Sequence, residues 1–257
     1  MKYVGGKNKI GKYIAEVMKE MVPPSMTSTF LEPFCGSLGV TVNMTDTYTD
    51  IYVSDSHPDL IALWKEVQQG TFTPPTTLTE LQWNNVKNIQ SPSSMKAFVG
   101  FGCSFGGKYF SGYAQKYTNG KNEDFLKAAT NSMKKIQPKI QNVKFECCDY
   151  KKWTPENTLI YCDPPYAYNN HPVKYRKSTK KYDVFNNNEF WDKMREWSKD
   201  NFVFISETTA PDDFISIWDR DTYRSASQST KTRYKDENTK KYNTEHLFIH
   251  KSLLNMD

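Results

Sequence analysis

Apolar residues recur along the chain with two periods, about 3.6 and 2, and the two kinds of segment alternate. Lys7 to Met21 carries Ile10, Ile14, Val17, Met18 and Met21 on one helical face, and Pro23-Pro24 stops it. Thr29 to Glu32 reads as a short strand, followed by a Cys35-Gly36-Ser37 turn and a helix through Asn43. Ile51 to Ser54 is a second strand, and Pro58 to Gln69 a helix that opens after Ser56-His57 and closes at Gly70. Val143 to Glu146, Thr158 to Cys162, Phe202 to Ser206 and His246 to His250 are further predicted strands. Asn187 to Lys199 is a predicted helix with Phe190, Trp191, Met194 and Trp197 on one side. Strands alternating with helices predict an α/β domain with a mainly parallel sheet.

Residues 70–142 break this rhythm. The stretch opens on Thr73-Pro74-Pro75 and runs through the Gly-rich, aromatic segment Phe98 to Gly112. It reads as an insert between two halves of the sheet, dividing the chain into 1–69 with 143–257 and the insert 70–142; an ordinary variable excursion has the same signature. The length, 257 residues, suits one large domain or a domain carrying an insert, enough to bury a core without staples. Aromatic residues make up 14% of the chain, which excludes wholesale disorder. There is no run of about 18 apolar residues to span a membrane, and Met1 to Lys12 lacks the apolar stretch of a signal peptide. Five irregularly spaced Cys without a CxxC predict packing roles in a reducing, cytoplasmic compartment and no metal. The net charge of +5 hints at a polyanionic partner.

The sharpest chemical signal is Asp163-Pro164-Pro165-Tyr166, placed after the apolar run Leu159 to Cys162. Open α/β sheets put their ligand crevice at the carboxyl ends of strands. Two prolines stiffen the corner and remove two N–H donors. What remains is an acceptor-rich pair, the Asp163 carboxylate and the Pro164 carbonyl, facing an aromatic ring; it suits a planar amine with two N–H groups. In that corner Asp163 is expected to be the only carboxylate. A Pro-rich turn capped by Tyr is the competing reading. Phe30 to Gly39 gives a strand, a small-residue turn and a helix, where a ligand can approach the backbone, although such a turn also serves packing alone. Asp55 ends the next strand about 20 residues on, placed for ribose hydroxyls or for capping a helix.

These pieces, in this order, resemble the Dam-type DNA adenine-N6 methyltransferases of the alpha-ordered group, widespread in phages and restriction-modification systems. Tyr3-Val4-Gly5-Gly6-Lys7 resembles the family's N-terminal motif that helps hold S-adenosylmethionine; Glu32-Pro33-Phe34-Cys35-Gly36 its cofactor loop; Asp55 its ribose-binding acid; Glu146 to Tyr150 the segment beside the cofactor adenine; Asp163 to Tyr166 its catalytic tetrapeptide. The resemblance implies a Rossmann-like methyltransferase sheet with helices on both faces and an inserted, mainly helical target-recognition subdomain. It implies catalysis by Asp163, Pro164, Pro165 and Tyr166, and S-adenosylmethionine binding by Tyr3, Gly5, Lys7, Glu32, Phe34, Gly36, Asp55, Asp149, Tyr150 and Asp163. Lys7 is expected either at the cofactor's carboxylate or exposed at a helix start. Where many relatives have consecutive glycines, this chain has Gly36-Ser37-Leu38-Gly39.

The implied reaction is site-specific methyl transfer to adenine N6 in a base flipped from duplex DNA, by a monomer or weak dimer that is cytoplasmic and in some cases virus-encoded, acting in a host cell. Lys108, Tyr109, Lys174, Arg176, Lys177, Arg224, Lys231 and Arg233 are the candidate DNA contacts, basic residues with aromatics interleaved, although any one Lys also suits a solvated surface. Three readings compete: an amino methyltransferase for cytosine N4, one for RNA, and a catalytically silent DNA-binding relative. A Rossmann dehydrogenase is disfavoured because the turn lacks GxGxxG.

Overall fold

A computed structural model describes residues 1–114, 117–118, 121–122, 124–165, 174–176, 182–223 and 242–255. The strands, in chain order, are β1 (Thr29–Glu32), β2 (Asp50–Asp55), β3 (Tyr117–Thr118), β4 (Lys121–Asn122), β5 (Val143–Cys147), β6 (Leu159–Cys162), β7 (Lys174–Arg176), β8 (Tyr182–Val184), β9 (Phe202–Glu207), β10 (Phe214–Tyr223) and β11 (Tyr242–His250). The α-helices are α1 (Gly11–Met21), α2 (Pro58–Gln69), α3 (Glu80–Lys87), α4 (Ser94–Ala97), α5 (Phe125–Ile136) and α6 (Asn187–Trp197).

Seven strands form one sheet in the order β10-β11-β9-β6-β1-β2-β5. All neighbours are parallel except β11, which runs antiparallel to both β9 and β10. The chain winds outward from β1 through β2 to β5, then returns to build β6 and β9 on the other side. The strand order therefore reverses between β1 and β6, which is where a sheet of this kind opens a crevice.

Side chains alternate across the sheet and feed two cores. Phe30, Leu159, Tyr161, Phe202, Phe204, Leu247 and Ile249 join α1, α2 and α5 on one face. Leu31, Ile160, Cys162, Val203, Ile205 and Phe248 join α6 on the other through Phe190, Trp191, Met194 and Trp197. Near-continuous apolar strands such as Leu159–Cys162 are what burial on both faces requires.

Residues 70–142 are not packed apart from this frame. Trp83, Phe98, Val99, Phe101, Cys103, Phe110, Met133 and Ile140 belong to the same core cluster as Ile14, Met18 and Trp64. Asp59, fully buried on α2, accepts hydrogen bonds from Ser91 Oγ (3.0 Å), Ser93 N (2.7 Å) and Tyr109 Oη (2.5 Å), fastening this segment to α2.

Several expectations need correcting. The first helix begins at Gly11, not Lys7: the Lys7 carbonyl accepts from both Ile10 N and Gly11 N in a turn, and Gly11 packs so close to residue 39 that a Cβ there would lie 2.1 Å from the Gly39 oxygen. The helix expected to run from the Gly36 turn through Asn43 is only a 3-10 turn at Thr41–Asn43. Leu38 adopts a left-handed backbone (φ 61°), which interrupts the helix, and Glu32 draws the Thr41 N–H to itself at 2.9 Å. The β6 strand starts one residue later than expected and α6 ends two earlier. Phe98–Gly102, inside the Gly-rich stretch that breaks the strand-helix rhythm of the sequence, is a buried π-helical turn continuing α4. Strand β10 was not predicted.

Candidate active site

Three acids end three neighbouring strands on the same edge of the sheet: Glu32 on β1, Asp55 on β2, and Asp163 just after β6. The turn after β1 begins with Cys35 N still bonded to Ser54 O (2.9 Å), so β1 and β2 stay joined into the turn. Gly36 then takes φ +44°, and a Cβ there would lie 3.0 Å from the Tyr3 ring; the close approach and the left-handed backbone both require glycine. Asp55 locks this turn. Its Oδ2 accepts from Gly36 N (3.1 Å) and its Oδ1 from His57 N (2.9 Å), while Trp64 Nε1 donates to Gly36 O (2.9 Å). Burial pushes the Asp55 carboxyl pKa up against the pull of these N–H groups, and burial pushes the neighbouring His57 pKa down.

Glu32 is turned inward. Its Oε2 accepts from both the backbone N–H and the hydroxyl of Thr41, holding the far end of the turn. Burial raises its carboxyl pKa to about 8, with the Asp163 charge adding to the rise and the Thr41 bonds and Lys7 opposing it.

Asp163 lies beside a buried cation. Lys7 Nζ donates to Asp163 Oδ1 at 2.6 Å and to Gly5 O at 3.2 Å, and lies 3.3 Å from Glu245 Oε1. The three side chains keep only 6%, 16% and 10% of their exposure for Lys7, Asp163 and Glu245. Burial alone would lower the Lys7 pKa, but the two carboxylates raise it above its ordinary value, so the ammonium is charged. Lys7 is thus neither exposed nor at a helix start, and Asp163 is not the only carboxylate of its corner. Glu245, on β11, had not been singled out. Its signal was slight: an acid one residue before the predicted strand His246 to His250, with the same parity as the core residues Leu247 and Ile249.

A family model described as D12 class N6 adenine-specific DNA methyltransferase matches residues 3–91 and 103–247. The chain belongs to this family. A comparison with curated proteins finds no match. The D12-class enzyme methylates adenine N6 in DNA at specific sites, and its seven-stranded mixed sheet with flanking helices agrees with a Rossmann-like methyltransferase fold. The family implies use of S-adenosylmethionine, the common methyl donor. No group of three or more His, Cys, Asp or Glu that could hold a metal occurs among the described residues. None of their helices is long and apolar enough to cross a membrane.

The remaining expected site residues divide sharply. The Tyr3 ring packs on Phe101 at 4.8 Å, beside the Gly36 turn. Phe34 and Tyr150 stack at 5.1 Å on the α6 face of the sheet, and Asp149 is exposed, capping the turn Tyr150–Lys152 through Lys151 N (2.9 Å). Pro164 is buried and Pro165 half-buried. Tyr109 is committed to the core side: its hydroxyl donates to Asp59 and its ring packs on His57 and Phe101. Lys108 is exposed. Lys174 and Arg176 lie on β7, paired with β8. Tyr166, Lys177, Arg224, Lys231 and Arg233 lie outside the described residues.

Proposed function

We propose that the enzyme takes its methyl group from S-adenosylmethionine and delivers it to an adenine flipped out of duplex DNA, with Asp163 and the Pro164 carbonyl holding the amine. The observation that carries this reading is the Asp163 carboxylate at the β1/β6 reversal point, gripped by a buried ammonium 2.6 Å away. The adenine amine is a poor nucleophile because its lone pair is delocalised into the ring. Accepting both N–H groups localises that lone pair and stabilises the positive charge that develops on nitrogen. The Asp163 acceptor is already held by Lys7, so little reorganisation of that group accompanies the reaction.

S-adenosylmethionine supplies a methyl already activated on a sulfonium, so the chain's own task lies on the acceptor side and in binding. The residues present fit such a molecule. Asp55 retains accepting capacity for ribose hydroxyls beyond its two backbone bonds, because each carboxylate oxygen can accept twice. The Gly36 turn brings the backbone close, and Glu32, fastened to Thr41, holds the turn rather than reaching out of it. An adenine inside the duplex is out of reach, and flipping it costs a few kcal/mol, part of which stacking on Tyr166 recovers.

Target recognition falls to residues 70–142. In Phe98 to Gly112 most side chains are buried; Phe105, Lys108 and Ser111 are exposed and available to DNA. Exchanging those exposed positions for a relative's should change the sequence methylated, whereas an active chimera of unaltered specificity would move recognition to the basic stretch 220–241. The central reading is tested by incubating the enzyme with labelled S-adenosylmethionine and DNA, followed by nucleoside analysis. Labelled N6-methyladenine from the wild type and none from a folded Asp163→Ala protein is the expected result; substantial turnover by that variant would overturn the role of Asp163.

A further inference from the structure

We propose that Glu245 is a positioning residue for methyl transfer: its charge, acting on Lys7, sets the orientation and accepting strength of Asp163. The inference rests on the reading of Asp163 as the amine acceptor.

Glu245 lies on β11, paired with Arg220 of β10 and adjacent to the His246–Glu207 pair with β9. The two-residue period puts it on the same face as the fully buried Leu247 and Ile249. A carboxylate on that face, 8% exposed, is costly unless a cation meets it. Lys7 does, from the turn before α1, and the same ammonium meets Asp163. Two carboxylates that come from strands separated by β9 in the sheet thus share one buried cation.

Sharing has two consequences. First, Lys7 is held from three sides, by Gly5 O, Asp163 Oδ1 and Glu245 Oε1, so its ammonium cannot swing and Asp163 is oriented by a fixed partner. Second, an ammonium facing a single carboxylate would concentrate its charge there and compete with the adenine N–H groups for the same oxygens. A second anion 3.3 Å from Nζ divides that attraction and keeps Asp163 a strong acceptor. This role needs the charge of Glu245 rather than its shape.

Charge and shape are separable with two substitutions, Glu245→Gln and Glu245→Asp. Gln keeps length and an accepting oxygen but loses the charge. Asp keeps the charge, withdrawn by about 1.5 Å, one C–C bond, which leaves it inside the ~4–6 Å over which a neighbouring charge is felt. With thermal melts confirming folding, we expect Glu245→Gln to lose about tenfold in kcat, the equivalent of ~1.4 kcal/mol, with KM for DNA and the dissociation constant for S-adenosylmethionine within about twofold of wild type. Glu245→Asp should retain most of kcat. An unchanged kcat in Glu245→Gln overturns the proposal, as does Gln performing as well as or better than Asp, which would make the role one of packing. A loss confined to S-adenosylmethionine affinity would instead make Glu245 a binding group and also overturn it. Asp163→Asn run in parallel separates the two levels: turnover surviving that change refutes the underlying role of Asp163 whatever Glu245 does.

Discussion

Glu32 should make the enzyme progressively less stable as pH rises, and replacing it with Gln should remove that dependence. The Glu32 carboxyl is buried at the end of β1, and burial lifts its pKa from its ordinary value of 4.5 to about 8. In the unfolded chain it titrates near its ordinary value. The folded state therefore holds the proton more tightly, and the stability tied to that proton is complete below pH 4.5 and is lost as pH rises through about 8. Each pH unit between those values removes about 1.4 kcal/mol, for a total of roughly 3–5 kcal/mol. Gln has the shape of the protonated acid, and its oxygen can accept from the Thr41 N–H that Glu32 Oε2 meets at 2.9 Å. Urea unfolding of both proteins between pH 5 and pH 9 provides the comparison, because titrations of groups that do not interact with Glu32 cancel in the difference. Near pH 5 the two should be nearly equal, and by pH 8.5 Glu32→Gln should be the more stable by several kcal/mol. A wild-type-minus-variant difference independent of pH would refute the reasoning and place an ionised Glu32 in the folded state.

Asp55→Ala should weaken S-adenosylmethionine binding, read by calorimetry, because it removes both the proposed ribose acceptor and the bond to Gly36 N; an unchanged dissociation constant rejects the assignment. Asp59→Asn should destabilise the fold by about 2–4 kcal/mol in denaturant unfolding, since one buried carboxylate oxygen becomes an NH2 that faces either the Ser93 N–H or the hydroxyls of Ser91 and Tyr109, and the bonds donated to that oxygen are lost. Lys108→Ala should lower DNA affinity across sequences and reduce the slope of log K against log salt by about one. Tyr109→Phe, by contrast, should lower stability by about 1–2 kcal/mol and leave that slope unchanged, because its hydroxyl is spent on Asp59.

The parts of the sheet legible in the sequence were those where local pattern and tertiary role agree. Pro58–Gln69 has Pro at its first turn and Gly70 in a left-handed conformation at its end, so both boundaries were marked. Leu159–Cys162 is buried on both faces and reads as one apolar run. Strand β10 escaped because it lies at the edge of the sheet, and its FISIWDRDTY alternation grades into charged residues with no breaker before them. The helix after Gly36 failed for a tertiary reason: Thr41 is captured by Glu32, nine residues earlier, and no local propensity records such a bond.

The acceptor corner divides along the same line. The Asp163-Pro164-Pro165 chemistry is contiguous, and its place after β6 follows from the strand before it. What surrounds Asp163 is not contiguous: Lys7 comes from 156 residues away in the chain, and Glu245 from a strand that enters the sheet last. Sequence reasoning found Lys7 only through the N-terminal Gly-Gly-Lys pattern, and it left open whether the side chain was exposed. Glu245 had no motif at all, only a parity shared with Leu247 and Ile249 that would bury a carboxylate. That parity is a usable signal in its own right. A buried acid on a strand must either keep its proton, as Glu32 does with Thr41, or meet a cation, as Glu245 does with Lys7. The reversed strand β11 brings that acid to within 3.3 Å of the Lys7 ammonium, so the one antiparallel strand of the sheet closes the charge arrangement that the parallel strands begin.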